Sequence, residues 1–189
     1  MAEGTLHTAR RSLSANDEMQ AQGAAHSHNS ELADVAIRAR DGATLNAWSI
    51  RPRNSNGRVV ILLHGLGDNR LGMIGYAELF LGHGFSVLMP DARAHGTSGG
   101  QLSTYGLLES EDIHRWFDWL QQNQHPGCIF GLGSPWAQPR SCNHCTPNPA
   151  SVQLQRNRPF RVFERLPMIA SDSSSRLVRG SDGLSCVRS

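Results

Sequence analysis

Two short runs of alternating apolar and polar residues open the patterned part of the chain. Val35, Ile37 and Ala39 alternate with polar neighbours, and Leu45, Ala47 and Ile50 alternate after them. Asp41-Gly42 stands between the two runs, and an Asp-Gly pair in this position is a strong hairpin signal. The pattern therefore predicts a β-hairpin with its turn at Asp41-Gly42.

Three apolar runs without alternation follow the hairpin, at residues 58–63, 85–89 and 128–130. Continuous apolar runs of this length are typical of parallel strands that are buried on both faces. Between them, residues 72–81 and 107–122 carry apolar residues at helical spacing, the second helix with Ser103 or Thr104 as its cap. The order of elements predicts an α/β fold with a largely parallel sheet.

The ends of the chain lack such patterns. Residues 1–31 are polar, rich in Ala, Ser, His and Gln, and we interpret them as a disordered leader. Residues 134–189 hold six of the nine prolines and show no sustained period, which predicts an irregular, disordered tail. Residues 32–133 between them form a partial α/β domain.

The charge of the chain is unevenly distributed. The net charge is +2 and there is no Lys; residues 1–133 carry ten Arg against thirteen acidic residues, whereas residues 134–189 carry eight Arg against three. An Arg-rich tail is one way to bind an acidic partner. The tail has neither interleaved aromatic residues nor a helical basic stripe, so we expect no nucleic-acid binding.

The four cysteines do not form the framework of a small secreted protein in a chain of 189 residues. No signal peptide or membrane span is recognisable, so a cytoplasmic location without membrane association is expected. Cys142 and Cys145, with His144 between them, have the spacing of a zinc or redox pair. Structural zinc needs four ligands, and only the distant Cys186 remains, so we predict no metal and no cofactor.

Two motifs follow the predicted parallel strands. The first strand ends in His64-Gly65-Leu66-Gly67-Asp68-Asn69, and the second is followed by Asp91-Ala-Arg93-Ala-His95-Gly96-Thr97-Ser98. Together with Asp41-Gly42, these motifs resemble the α/β-hydrolase superfamily, most closely its serine aminopeptidase-like and lysophospholipase-like branch. The resemblance covers about residues 32–133, the N-terminal half of such a domain.

The resemblance implies roles for these residues. In the family, the turn after the third strand presents a backbone N–H to the oxyanion, and by position that donor is Leu66, flanked by Gly65 and Gly67. Asp91, Arg93, His95 and Ser98 match a loop whose side chains hold its own structure. We expect His95 to be structural, since the family's general-base histidine follows the nucleophile along the chain.

The nucleophile motif itself is interrupted. The run 128–130 leads into Gly131-Leu132-Gly133, as a strand leads into the Gly-x-Ser-x-Gly turn of the family, but Ser134 follows Gly133 directly. Ser134 is a displaced candidate nucleophile. Pro135 after it has no N–H, although the residue after the nucleophile supplies the second oxyanion donor in this fold.

A shift of the reading frame explains the interruption. The codons GGA GAG TCC ATG GGC GCA GCC encode Gly-Glu-Ser-Met-Gly-Ala-Ala, and loss of one G gives GGA AGT CCA TGG GCG CAG CC. The shortened message encodes Gly-Ser-Pro-Trp-Ala-Gln-Pro, which is the sequence of residues 133–139. Permitted codons for residues 150–169 also yield a strand-like and a helix-like stretch when read one base earlier. We interpret residues 134–189 as an out-of-frame translation, whether by a genuine frameshift or by a sequencing error.

Two classes of function stay open. The resemblance implies a serine hydrolase that cleaves a small ester, lipid or peptide by a Ser-His-acid triad, in which case this copy is truncated and inactive. The alternative is a non-enzymatic product whose Arg-rich tail binds an acidic partner or whose Cys142 and Cys145 bind metal. The sequence predicts neither the substrate nor the triad acid and histidine.

Overall fold

The computed structural model describes residue 7, residues 9–133 and the backbone of residues 144–145. Its strands are β1 (Ser30–Arg38), β2 (Thr44–Pro52), β3 (Arg58–Leu63), β4 (Ser86–Pro90), β5 (Cys128–Gly133) and β6 (His144–Cys145). Its helices are α1 (Ala15–Ser27), a 3₁₀ turn (Arg70–Met73), α2 (Ile74–Gly82) and α3 (Glu109–Asn123).

These strands form one six-stranded sheet in the order β1-β2-β4-β3-β5-β6. β3 lies between β4 and β5 and runs parallel to both, whereas β1 and β2 form an antiparallel hairpin at one side. The predicted hairpin is confirmed, and Gly42 at its turn has φ +86, a backbone conformation that favours glycine. The predicted α/β fold is confirmed as well.

The sheet is buried between two apolar layers. Alternate side chains of β2, β3 and β4 point to opposite faces, so Val60 and Leu62 join one cluster while Val59 and Ile61 join the other. The first cluster contains α1 and α2, and the second contains α3 through Trp116 and Leu120. Covered on both faces, β3 can be apolar at every position after Arg58.

The N-terminal region differs from the expected disordered leader, because α1 is a capped and packed helix. The Ser14 hydroxyl accepts from the Asp17 N–H, and the Asp17 side chain accepts from the Ser14 N–H, which is a complete capping box. Ala21, Ala24 and Ala25 are buried against the core. A stripe of alanines is a weak hydrophobic signal in a sequence, and the prediction missed the helix for that reason.

The remaining boundaries shift by a few residues. The helix predicted at 72–81 begins as the 3₁₀ turn and continues as α2. Thr104 does not cap α3 at its first residue, but its hydroxyl accepts from the Leu108 N–H just before the helix.

The predicted tail lies outside the described residues, apart from the two residues of β6. β6 pairs antiparallel with Cys128 and Ile129 and so adds a short strand that the sequence did not indicate. Cys128 is disulfide-bonded. The cytoplasmic location stays a prediction. In the part of the chain that is described, no helix has the length and apolar character to cross a membrane.

Candidate active site

The candidate site lies where three parallel strands end. β4, β3 and β5 are neighbours in the sheet and end at Pro90, Leu63 and Gly133. Parallel strands bring their carboxyl ends to the same edge, so the segments that follow these three strands start side by side. In open α/β sheets this edge is where ligands bind.

The turn after β3 presents the predicted oxyanion donor. Gly67 has φ +74, which a larger residue would adopt only with strain, and the Asp68 N–H donates to the Gly65 carbonyl across the turn at 3.2 Å. The Leu66 side chain is 42% exposed. Among the residues that the structure describes, none accepts a hydrogen bond from the Leu66 N–H. An exposed turn with an unused N–H is suited to an incoming oxyanion.

His64 joins this turn to the loop after β4. Its Nε2 accepts from the Ala92 N–H at 3.0 Å, so the ring proton lies on Nδ1, which is 2.8 Å from the Gly65 carbonyl oxygen. The ring is 1% exposed, and this burial lowers the pKa of His64 below 6.5. His64 is thus held in its neutral form as a link between two loops.

Asp91 is the centre of the loop after β4. Its carboxylate accepts from the Arg70 N–H and from Arg70 Nε and Nη2, at 2.8, 3.1 and 2.8 Å. The Thr97 N–H and hydroxyl donate to the same carboxylate at 2.8 and 3.2 Å. Arg70 is 2% exposed and the Asp91 side chain is fully buried. The pair fixes the chain after β3 against the loop after β4.

Arg93 ties the same loop to two distant elements. Its Nε and Nη2 donate to the Asp112 carboxylate in α3 at 2.7 and 2.8 Å, and its Nη1 donates to Asp41 in the hairpin turn at 2.9 Å. The Arg93 hydrogen bond lowers the pKa of Asp41. Burial raises the pKa of Asp112, although the Arg93 guanidinium opposes the shift. The two carboxyl pKa values shift in opposite directions because Asp41 is much more exposed than Asp112.

His95 and Ser98 are buried within the loop. Nδ1 of His95 lies 2.8 Å from the Arg93 carbonyl oxygen, and the His95 and His64 ring centroids are 5.3 Å apart. The Ser98 hydroxyl donates to the Asp91 carbonyl and accepts from the Asn46 N–H in β2. Both side chains are 0% exposed. A general base has to reach a proton of the substrate, so these contacts fit a structural loop better than a catalytic one.

The end of β5 is built for a small residue. Gly133 faces Leu63 in the register, and a Cβ on Gly133 would lie 2.9 Å from the Leu63 Cβ. Such a distance is too short without a shift of the backbone. The last residue of β5 is therefore at a point where glycine is required, as at the first glycine of Gly-x-Ser-x-Gly.

The candidate nucleophile Ser134 lies outside the described residues, and so does Pro135. The side chains of Cys142, His144 and Cys145 are outside them too. Among the described residues, no cluster of His, Cys, Asp and Glu has the arrangement of a metal site. The structure thus brings Leu66, Asp91, Arg93, His95 and Ser98 to one edge of the sheet and does not describe the position of Ser134.

Sequence reasoning missed three residues that hold this edge together. Arg70 was not singled out, since an isolated arginine in a loop carries no positional signal. Asn69 was noted only as part of a motif, yet it is fully buried and its side chain accepts from the Leu71 N–H. Glu109, at the start of α3, accepts from the Thr104 N–H, the Thr104 hydroxyl and the Gly106 N–H.

Strand order, the parallel core and the turn after β3 together define an α/β-hydrolase type of domain. Residues 58–127 match a family model described as the alpha/beta hydrolase fold. The chain thus carries the N-terminal half of this fold, and the predicted resemblance to the superfamily is confirmed.

Individual proteins agree with this assignment. The chain is 29% identical to the Pyrococcus furiosus esterase Pf2001, with a TM-score of 0.57 over 68% of this chain and 48% of the esterase. It is 33% identical over 91 residues to the uncharacterized protein YqkD of Bacillus subtilis, covering 48% of this chain and 30% of YqkD. An alpha-beta hydrolase from Vibrio vulnificus shares the fold, at 21% identity and a TM-score of 0.52, over 65% of this chain and 41% of that protein. The chain thus spans about half the length of the esterase and less of YqkD.

Proposed function

We propose that residues 32–133 are the first half of a serine hydrolase that cleaves an ester, lipid or peptide acyl bond. In this mechanism a serine oxygen attacks the carbonyl carbon, and the carbonyl oxygen becomes an oxyanion. The Leu66 N–H donates to that oxyanion. One such donor contributes about 10²–10³ in rate in comparable enzymes.

The observation that carries this proposal is the turn after β3. Leu66 is exposed and Gly67 adopts a left-handed conformation. His64, before the turn, accepts from the Ala92 N–H, and Asp91 accepts from the Arg70 N–H just after the turn. A donor that is fixed before substrate arrives requires no reorganisation during the reaction. The likeness to an esterase at 29% identity supports an acyl substrate.

We further propose that residues 134–189 are read out of frame, so the chain as written has no working nucleophile. Gly133 supports this, because its position has no room for a Cβ, as is required of the first glycine in Gly-x-Ser-x-Gly. The residues after Gly133 do not match the rest of that motif. Ser134 would be a poor nucleophile, because Pro135 lacks the N–H that should complete the oxyanion hole.

Two proteins test the proposal: the chain as written, and the product of the same gene with one G restored after the codon for Gly133. We expect the restored product to hydrolyse p-nitrophenyl esters and to react with a fluorophosphonate probe at the serine of its Gly-Glu-Ser-Met-Gly motif. Replacing that serine with alanine is the matched control. The chain as written should show neither property.

Two other results would contradict one or the other part of this proposal. Labelling of Ser134 in the chain as written would show that the displaced serine is active. A restored product that folds but neither labels nor hydrolyses esters would refute the hydrolase. In that case stoichiometric zinc at Cys142 and Cys145, or salt-dependent binding of the Arg-rich tail to an acidic partner, would favour the non-enzymatic alternative.

A further inference from the structure

The segment that precedes α1 runs across the loops of the candidate site. Arg10 Nε donates to the Ala94 carbonyl at 3.0 Å, and Arg10 Nη2 donates to the Gly100 carbonyl at 2.8 Å. Both carbonyls belong to the loop after β4, more than eighty residues away along the chain. The Ala9 carbonyl oxygen lies 3.7 Å from the position of a Cβ on Gly67. The segment thus touches both loops at once.

Arg11 contacts the turn that carries the predicted oxyanion donor. Its Nη1 lies 2.7 Å from Asp68 Oδ1, and the same carboxylate oxygen accepts from the Asn69 N–H at 2.9 Å. The Asp68 carboxylate also occupies the space beside Gly72, where a Cβ would lie 2.1 Å from Oδ2. Asp68 is therefore confined between Arg11, Asn69 and Gly72, two residues after Leu66.

Asn69 makes a second connection between the segment and the turn. Its Nδ2 donates to the Ser12 carbonyl and to Asp17 Oδ2, each at 3.3 Å, and its Oδ1 accepts from the Leu71 N–H at 3.0 Å. Asn69 is 0% exposed, and Asp17 belongs to the capping box of α1. The buried side-chain amide of Asn69 thus hydrogen-bonds both to the start of α1 and to the chain just after the turn.

Helix capping alone does not require these contacts. The capping box is complete with Ser14 and Asp17, and neither Arg10 nor Arg11 is needed for it. Arg11 Nη2 lies 3.8 Å from Asp17 Oδ1, but the shorter contacts of both arginines are to the loops after β3 and β4. We propose that residues 9–14 are a brace that positions the oxyanion turn, and that Arg11 is the positioning residue that holds Asp68, and through it Leu66, in place.

This inference rests on the proposed function only where it concerns the role of Leu66. The coupling between Arg11 and the turn is a physical property that can be measured without turnover. Hydrogen–deuterium exchange of the full chain as written reports how often the amides of the turn open. A protein without hydrolase activity would still show the coupling, so the two proposals fail separately.

The experiment compares wild type, Arg11→Ala, Arg11→Lys and Arg38→Ala. Arg11 is 48% exposed, so its replacement creates no core cavity. Arg38 is the matched control, an arginine that donates to the Gly42 carbonyl in the distant hairpin. Because a partly exposed ion pair is worth about 0.4–1 kcal/mol at the upper part of its usual range, we expect exchange of residues 65–69 to be about two- to five-fold faster in Arg11→Ala. Arg11→Lys should restore most of the protection, and Arg38→Ala should leave the turn unchanged.

Two results would contradict the proposal that residues 9–14 brace the oxyanion turn. One is unchanged exchange of residues 65–69 in Arg11→Ala. The other is an equal increase in β3 and in the turn, which would mean a general loss of stability. A second measurement uses the restored product, in which Arg11→Ala should lower kcat about two- to five-fold without raising KM. An increase in KM with kcat unchanged would assign Arg11 to substrate binding instead.

Discussion

Replacing Asp91 with alanine removes the carboxylate on which the loop after β4 depends. The Asp91 side chain is fully buried and accepts five hydrogen bonds, three from Arg70 and two from Thr97. The variant leaves the Arg70 guanidinium buried at 2% exposure with only the exposed Asp34 carboxylate, 3.8 Å away, as an acidic partner. Arg70 also lies 5.1 Å from the centroid of the Trp48 ring, but an aromatic ring does not neutralise the charge.

The expected cost follows from this burial. Removal of one partner from a buried ion pair typically costs about 3–5 kcal/mol, because the remaining charge is desolvated without compensation. A domain of this size has a total stability of about 5–15 kcal/mol. Asp91→Ala should therefore remove a large part of the free energy of unfolding. Adding Arg70→Met should recover part of the loss, since the orphaned charge is then absent.

Urea unfolding of the full chain at pH 7 measures this cost, with the fluorescence of its four tryptophans, among them the buried Trp48 and Trp116, as the signal. Asp34→Ala is the matched control, since Asp34 also faces Arg70, at 3.8 Å, but is 81% exposed. The control should lose at most about 1 kcal/mol. A loss in Asp91→Ala no larger than in Asp34→Ala would refute the reasoning. So would a double variant less stable than Asp91→Ala alone.

Three further predictions concern the same fold. Gly133→Ala should destabilise the chain by about 1–3 kcal/mol in urea unfolding, since its Cβ would meet Leu63 at 2.9 Å. The lowered pKa of His64 means that the unfolded chain binds more protons than the folded one below about pH 6.5, so stability should fall as the pH drops through that value. The slope of that fall should be smaller in His64→Gln. Ser14→Ala should cost about 0.5–2 kcal/mol, because it removes the cap of α1.

Each of these predictions has its own control. Gly127→Ala is matched to the Gly133 variant, because its Cβ would lie 3.8 Å from the nearest atom, an ordinary contact. Gln122→Asn on the exposed part of α3 removes no titratable group and should leave the pH slope unchanged. Ser27→Ala at the other end of α1 should cost less than Ser14→Ala. Equal effects in a variant and its control would contradict the corresponding argument.

The central strands were predictable because a strand that is buried on both faces is a continuous run of apolar residues in the sequence. Residues 58–63 are buried on both faces, so every position after Arg58 is apolar, and no helix or edge strand would need that pattern. The hairpin was equally clear, since Asp41-Gly42 combines a turn signal with alternation on both sides.

The N-terminal helix was not predictable in the same way. It packs through alanines, and its Asp17 accepts from Asn69, while Arg11 just before the helix contacts Asp68; both contacts span more than fifty residues. Local propensity cannot reveal a partner that is so distant along the chain. The same holds for Arg70, whose role depends on Asp91 and on nothing near it in the sequence.

The candidate site was predicted in part. The motifs located the turn of Leu66 and the loop of Asp91, Arg93, His95 and Ser98, but not the contacts that make the loop rigid. His64 is an example, since only the structure shows that its Nε2 accepts from Ala92. Neither the sequence nor the structure locates the nucleophile, because the motif stops at Gly133 and Ser134 lies outside the described residues.

The most direct test of the account is a DNA read of the gene across the codons for residues 131–139. We expect that one G inserted after the codon for Gly133 yields Gly-Glu-Ser-Met-Gly, with codon bases that continue the hydrolase pattern beyond it. Bases that forbid this reading, for instance a Pro135 codon that does not end in A and so cannot give methionine, would contradict it. The residues after Gly133 would then be a genuine in-frame sequence.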